Sequence, residues 1–93
     1  MSIAIIGGMD RLKTLYERQA KELGYKVKFF GRKVPKLGKR ISKVDGIVIL
    51  TGMVAHHMVA EVNRTARLRS IPILHIPSSS AMGLKKILSG FKP

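Results

Sequence analysis

Four short apolar runs punctuate this chain, and between them apolar residues recur at helical spacing. Ser2 to Ile6 is such a run, ended by Gly7-Gly8, the pattern of a strand covered on both faces. Asp10 stands where a helix N-cap belongs. Leu12, Leu15, Tyr16, Ala20 and Leu23 follow at helical intervals, and Gly24 supplies the stop. Val27 to Phe30 is a second strand, closed by Gly31. Gly46 to Leu50 is a third, β-branched at Ile47, Val48 and Ile49 and closed by Thr51-Gly52. His56 to Leu68 carries Val59, Val62 and Ala66 and predicts a second long helix. Pro72 marks the next boundary, Ile73 to Ile76 is a fourth strand, and a last helix runs through Leu84, Ile87 and Leu88 to Gly90.

Strands alternating with helices predict a parallel sheet with right-handed crossovers. The expected fold is a small α/β, Rossmann-like or flavodoxin-like three-layer domain with four parallel strands in the order 2-1-3-4. With 93 residues the chain makes one domain over 1–93. Residues 31–45 break the rhythm: they are basic and rich in Gly and Pro. They predict a basic loop with room for a short helix over Leu37 to Ser42.

Three polar clusters fall just after strands. Gly7, Gly8, Asp10 and Arg11 follow the first, Thr51 and the His56-His57 pair follow the third, and Ser78, Ser79 and Ser80 follow the fourth. In an open parallel sheet, ligands bind beyond the carboxyl ends of the strands, where strand order reverses. Those residues are therefore the expected ligand-binding set. Gly7-Gly8 lacks the spacing of a dinucleotide or P-loop fingerprint, and a tight strand-to-helix turn explains it equally well. Asp10 reads first as an N-cap. Arg11 at a helix start opposes the helix dipole, so an anion beside it would help explain it. The serines and the free N–H groups of the last helix's first turn suit an anion, and ordinary capping suits them too.

Charge changes the picture next. Eighteen Lys and Arg face five Asp and Glu, a formal net charge of +13. A field of that sign draws in anions. Lys28, Arg32, Lys33, Lys36, Lys39 and Arg40 concentrate it in the segment 26–43, beside Phe29 and Phe30. That segment is the expected polyanion contact, with nucleic acid as partner if the phenylalanines are exposed. If they belong to the strand, the lysines are a solvated surface.

There is no cysteine, which removes disulfides, thiolate zinc sites and cysteine nucleophiles. Adjacent His56 and His57 point about 100° apart on a helix and do not make the i, i+4 pair that zinc favours. A single axial His56 would suffice for haem, walled by Met53 and Met58, so haem is a second reading with an otherwise unknown cofactor. His75 is expected in the core or an interface. The nucleophile elbow G-x-S-x-G is missing and carboxylates are scarce, so a binding protein is favoured over an enzyme. No apolar run approaches the roughly 20 residues that span a bilayer. The cytoplasm is the expected address. The fourth strand as an apolar edge makes a homodimer the expected assembly.

Ile5-Ile6-Gly7-Gly8-Met9-Asp10-Arg11, then Thr51-Gly52-Met53-Val54-Ala55-His56, then Ser78-Ser79-Ser80 before a helix, resemble the bacterial DUF2325 family over nearly the whole chain. The family's third-strand motif is similar to T-x-x-V-S-H, which falls here on Thr51, Val54 and His56, with Ala55 in place of Ser. The resemblance implies a Rossmann-like domain with Asp10, Arg11, Thr51, His56 and the serines around one site. It implies no particular activity. The expected function is a non-enzymatic module for an anionic small ligand bearing phosphate or carboxylate, a nucleotide among them. Haem at His56 and nucleic acid at 26–43 are the alternatives.

Overall fold

The computed structural model describes residues 1–8, 10–31, 36–54, 56–77, 86 and 88–90, with backbone only at Asp10 and Met53. Four parallel strands, β1 (Ser2–Gly7), β2 (Lys26–Phe30), β3 (Gly46–Leu50) and β4 (Ile73–Ile76), form one sheet in the order β2-β1-β3-β4. The helices are α1 (Lys13–Glu22), α2 (Leu37–Ile41) and α3 (His56–Arg69). One-turn 3-10 helices occupy Asp10–Leu12 and Thr51–Met53. The doubly wound α/β architecture and strand order expected from the alternation are both present.

Side-chain parity divides the core into two layers. In β1, Ile3 and Ile5 pack with Tyr16 and Ala20 of α1, and with Val48, Leu50, Ile76 and Leu88. Ala4 and Ile6 point the other way, with Phe30, Leu37, Ile41, Ile47, Ile49, Met58, Val62 and Ala66. So α1 and Leu88 cover one face, and α2 and α3 cover the other. Right-handed crossovers require this: β1 to β2 moves outward one way, while β2 to β3 and β3 to β4 move the opposite way. The central strands β1 and β3 are buried on both faces, which is why their sequences are continuous apolar runs.

Edge strands read differently. In β2, Val27 and Phe29 are half-buried on the α1 side, while Lys26 and Lys28 are exposed. In β4, Ile76 is buried and His75 is exposed. His75 is therefore not a core residue. It pairs with Ile49 and shares its face, but at the sheet's edge.

Both long helices end in the same hydrogen-bonded device. At the end of α1, Tyr25 N–H donates to Ala20 O at 3.1 Å and Gly24 N–H to Lys21 O at 2.9 Å, with Gly24 at φ 89°. At the end of α3, Ile71 N–H donates to Ala66 O at 2.9 Å around Ser70 at φ 55°. α1 begins at Lys13, behind a 3-10 turn that Asp10 opens, and the side chain of Asp10 lies outside the described residues. The interruption at 31–45 contains α2, one residue shorter than expected, anchored by buried Leu37 and Ile41. Arg32 and Lys33 lie outside the described residues.

At the amino end of the sheet, Asp45 holds β1 and β3 together. Its Oδ2 accepts from Ser2 N–H at 2.8 Å and from Ser2 Oγ at 3.3 Å.

Candidate functional site

The carboxyl ends of β1, β3 and β4 are neighbours by register: Gly7 pairs with Leu50, and Leu50 with Ile76. β1 leaves the sheet through Gly7 at φ 86° and Gly8 at φ 85°, a left-handed pair that L side chains resist. Gly8 also has no room for a side chain. A Cβ there would lie 2.6 Å from Leu50 Cδ1 and 3.0 Å from the Tyr16 ring. The glycine pair is thus a close-packed strand-to-helix turn. Arg11 is exposed within the 3-10 turn that follows.

β3 leaves through the other 3-10 turn. Thr51 Oγ1 donates to Ile76 O at 3.3 Å, and a Cβ on Gly52 would lie 2.7 Å from the carbonyl oxygen of Pro77. Two turns, after β3 and β4, are thereby clasped against each other. Thr51 and Gly52 remain exposed. His56 and His57 open α3, and both are exposed. Because α1 and α3 cover opposite faces, Arg11 and His56 flank the strand ends from opposite sides.

The structure therefore brings Gly7, Gly8 and Thr51 together at adjacent strand ends, with Arg11 and His56 on the two flanks. Ser78, Ser79 and Ser80 lie outside the described residues, as does the side chain of Asp10. Pro77, just before the serines, sits against Gly52. Met58 corrects the expected apolar wall beside His56. It is buried between α3 and the sheet, not at the rim. Among the described residues, no three His, Asp or Glu side chains gather as a metal site. Among the described residues, no helix is long and apolar enough to cross a membrane.

The basic segment is resolved in part. Phe30 is 8% exposed and belongs to the core, and Phe29 stacks on Tyr16 with ring centroids 6.0 Å apart. Neither is an open stacking platform, so the strand reading of the phenylalanines holds. Lys28, Lys36, Lys39 and Arg40 are exposed. Lys36 and Lys39 line a surface groove of about 420 Å³ together with Gly38, Ser42 and residues of α3: Glu61, Arg64, Thr65, Leu68 and Arg69. Arg64 and Arg69 stand more than 20 residues from the basic segment 26–43 and join it only in the fold. The signal was available in the topology, because right-handed crossovers put α2 and α3 on the same face.

The strand order and the open carboxyl edge define a small doubly wound α/β domain with its polar residues at the topological switch point. The chain belongs to the family described as "Uncharacterized protein conserved in bacteria (DUF2325)", whose model matches residues 2–91. No curated protein and no solved structure matches it.

Proposed function

We propose that this domain is a non-enzymatic binding module that takes an anionic small molecule, bearing phosphate or carboxylate, at the carboxyl ends of β1 and β3. One observation carries the reading. Gly7 and Leu50 are paired neighbours whose onward connections run to helices on opposite faces of the sheet. That divergence opens a crevice at strand ends, the position where such sheets receive ligands. The exposed groups there suit an anion: Arg11 for charge, His56 on the far flank, and the Thr51 hydroxyl, which would exchange its 3.3 Å bond to Ile76 O for one to the ligand. The net charge of +13 raises the local concentration of any such ligand.

The test is titration with ATP and with inorganic phosphate, followed by backbone amide shifts of Gly7, Gly8 and Thr51. Arg11→Ala weakens the binding by about tenfold, the size of one charge-assisted hydrogen bond, and Thr51→Val weakens it less. Thr51→Val also loses the hydroxyl's bond to Ile76 O and melts slightly earlier, so affinities are compared at a temperature where both variants are folded. Unchanged affinity in both would remove the site from this rim. The absorption spectrum of the purified protein comes first. With no tryptophan and only Tyr16 and Tyr25, the chain's own near-ultraviolet absorbance is weak. A Soret band abolished by His56→Ala would replace the anion reading with haem.

A further inference from the structure

We propose that the α2–α3 groove is a second site, separate from the strand-end rim, and that it binds the phosphodiester backbone of a nucleic-acid duplex without reading its sequence. Two helices build it. α2 contributes Lys39, with Lys36 just ahead of it; α3 contributes Arg64 and Arg69. Cations thus line both walls of one groove. Among the described lining residues the single carboxylate is Glu61, whose Oε1 already accepts from Gly38 N–H at 2.8 Å. That bond holds α2 on α3 and turns the acid's oxygen toward the backbone of the groove floor.

The walls are fixed in place. Leu37 and Ile41 anchor α2 in the core, and Met58, Val62 and Ala66 anchor α3. Gly38 lies so close to α3 that a Cβ on it would be 2.7 Å from Thr65 Oγ1. A rigid groove with cations on both sides matches a phosphate backbone, whose charge repeats regularly and whose guanidinium contacts are bidentate. Elsewhere, Lys43 just after α2 and Arg67 of α3 are exposed, and Lys28 is exposed on the same sheet face as Ala4. The basic field therefore continues past the groove on that side of the molecule.

Other occupants fit less well. A membrane-lying helix needs an apolar face to insert. The apolar face of α3 is spent in the core, which leaves Leu68 as its large exposed hydrophobe, 78% exposed. Single-stranded nucleic acid is normally held by aromatic stacking. Phe29 and Phe30 are turned inward, so the backbone of a duplex is the better match.

The experiment is fluorescence anisotropy with labelled DNA and RNA duplexes of one sequence, the corresponding single strand, and poly-glutamate, each across a salt series. Four phosphate contacts predict that duplex affinity falls by about a hundredfold between about 50 and 200 mM salt. The double variant Arg64→Ala/Arg69→Ala keeps two contacts and falls by only about tenfold over that range. Arg18→Ala/Lys21→Ala removes the same charge from exposed positions of α1, on the opposite face, and keeps the parent slope. Both pairs are exposed helical positions where alanine favours the helix, so folding is retained. Comparison of the two duplexes assigns the source as DNA or RNA. Equal losses in the two double variants would reduce the effect to diffuse charge and overturn the site. Poly-glutamate or the single strand bound as tightly as duplex would overturn the duplex as occupant.

Discussion

The strand-end rim and the α2–α3 groove are built by opposite means. At the rim, backbone does the work: Gly8 lies against Leu50 and Tyr16, Gly52 against the Pro77 carbonyl, and the Thr51 hydroxyl against the Ile76 carbonyl. In the groove, exposed cations stand on two helices and at the start of one, and Gly38 marks a close backbone approach. His56 opens α3 and Arg69 closes it, which separates the rim from the far end of the groove by about 20 Å along the helix. A site made by backbone tolerates little change but responds weakly to salt. A site made by exposed charge tolerates substitution and responds strongly to salt. Changes at the rim should therefore appear first as lost stability, and changes in the groove as altered binding.

The largest effect expected is at Gly8. Alanine there must adopt φ near 85° and place its Cβ 2.6 Å from Leu50 Cδ1. Strain at positive φ costs about 1–2 kcal/mol and overpacking a further 1–3, so Gly8→Ala should lose about 3 kcal/mol in urea unfolding. A loss under about 1 kcal/mol would mean that the turn relaxes freely and that packing does not explain the glycine. Rim and groove would then no longer differ in the way argued above.

Much of this architecture was legible in the residues because its determinants are local. The apolar runs at β1 and β3 announce strands buried on both faces, and the breaks at Gly24 and Pro72 fall where α1 and α3 have ended. Errors arose where a tertiary neighbour decides. A 3-10 turn over Asp10–Leu12 puts the start of α1 at Lys13, two residues later than a cap at position 10 implies. Met58 is near His56 in sequence, but helical periodicity turns it into the core while His56 faces solvent. His75 alternates onto the covered face of the sheet but is exposed on the edge strand β4, so it is not a core residue. The second wall of the groove was missed for the same reason: Arg64 and Arg69 are more than 20 residues from Lys39 in sequence and join it only through helix packing.

A smaller effect, with a change of sign, is expected where the groove depends on backbone. Gly38→Ala gains helix propensity of up to about 1 kcal/mol but drives a Cβ to 2.7 Å from Thr65 Oγ1. The net result should be destabilising by about 1 kcal/mol as α2 lifts from α3. Pairing it with Thr65→Ala removes the obstructing hydroxyl and should leave the double variant at least as stable as Thr65→Ala alone. A double-mutant cycle by urea unfolding reads the coupling directly. Additive losses would show that Gly38 is not held by Thr65. The groove would then lack the rigid floor assigned to it, and its resemblance to the rim at this one point would disappear.

Glu61 gives the smallest change in stability and the sharpest separation of the two regions. Its carboxylate has two opposed effects: it accepts the Gly38 N–H at 2.8 Å, which fixes α2, and it subtracts charge from a groove lined by Lys36, Lys39, Arg64 and Arg69. Glu61→Gln keeps an acceptor oxygen of the same reach and removes the charge. The hydrogen bond weakens from charge-assisted to neutral, so stability should fall by no more than about 1 kcal/mol. Duplex affinity should move the other way and rise about threefold at low salt, because an anion inside the site is gone; the gain should shrink as salt rises. Phosphate binding at the rim should change less, since screening acts over about 8–10 Å while Glu61 lines the groove itself. A fall in duplex affinity would mean that the acid's hold on α2 outweighs its charge. The groove would then be a site governed by geometry, like the rim, and salt would no longer distinguish the two.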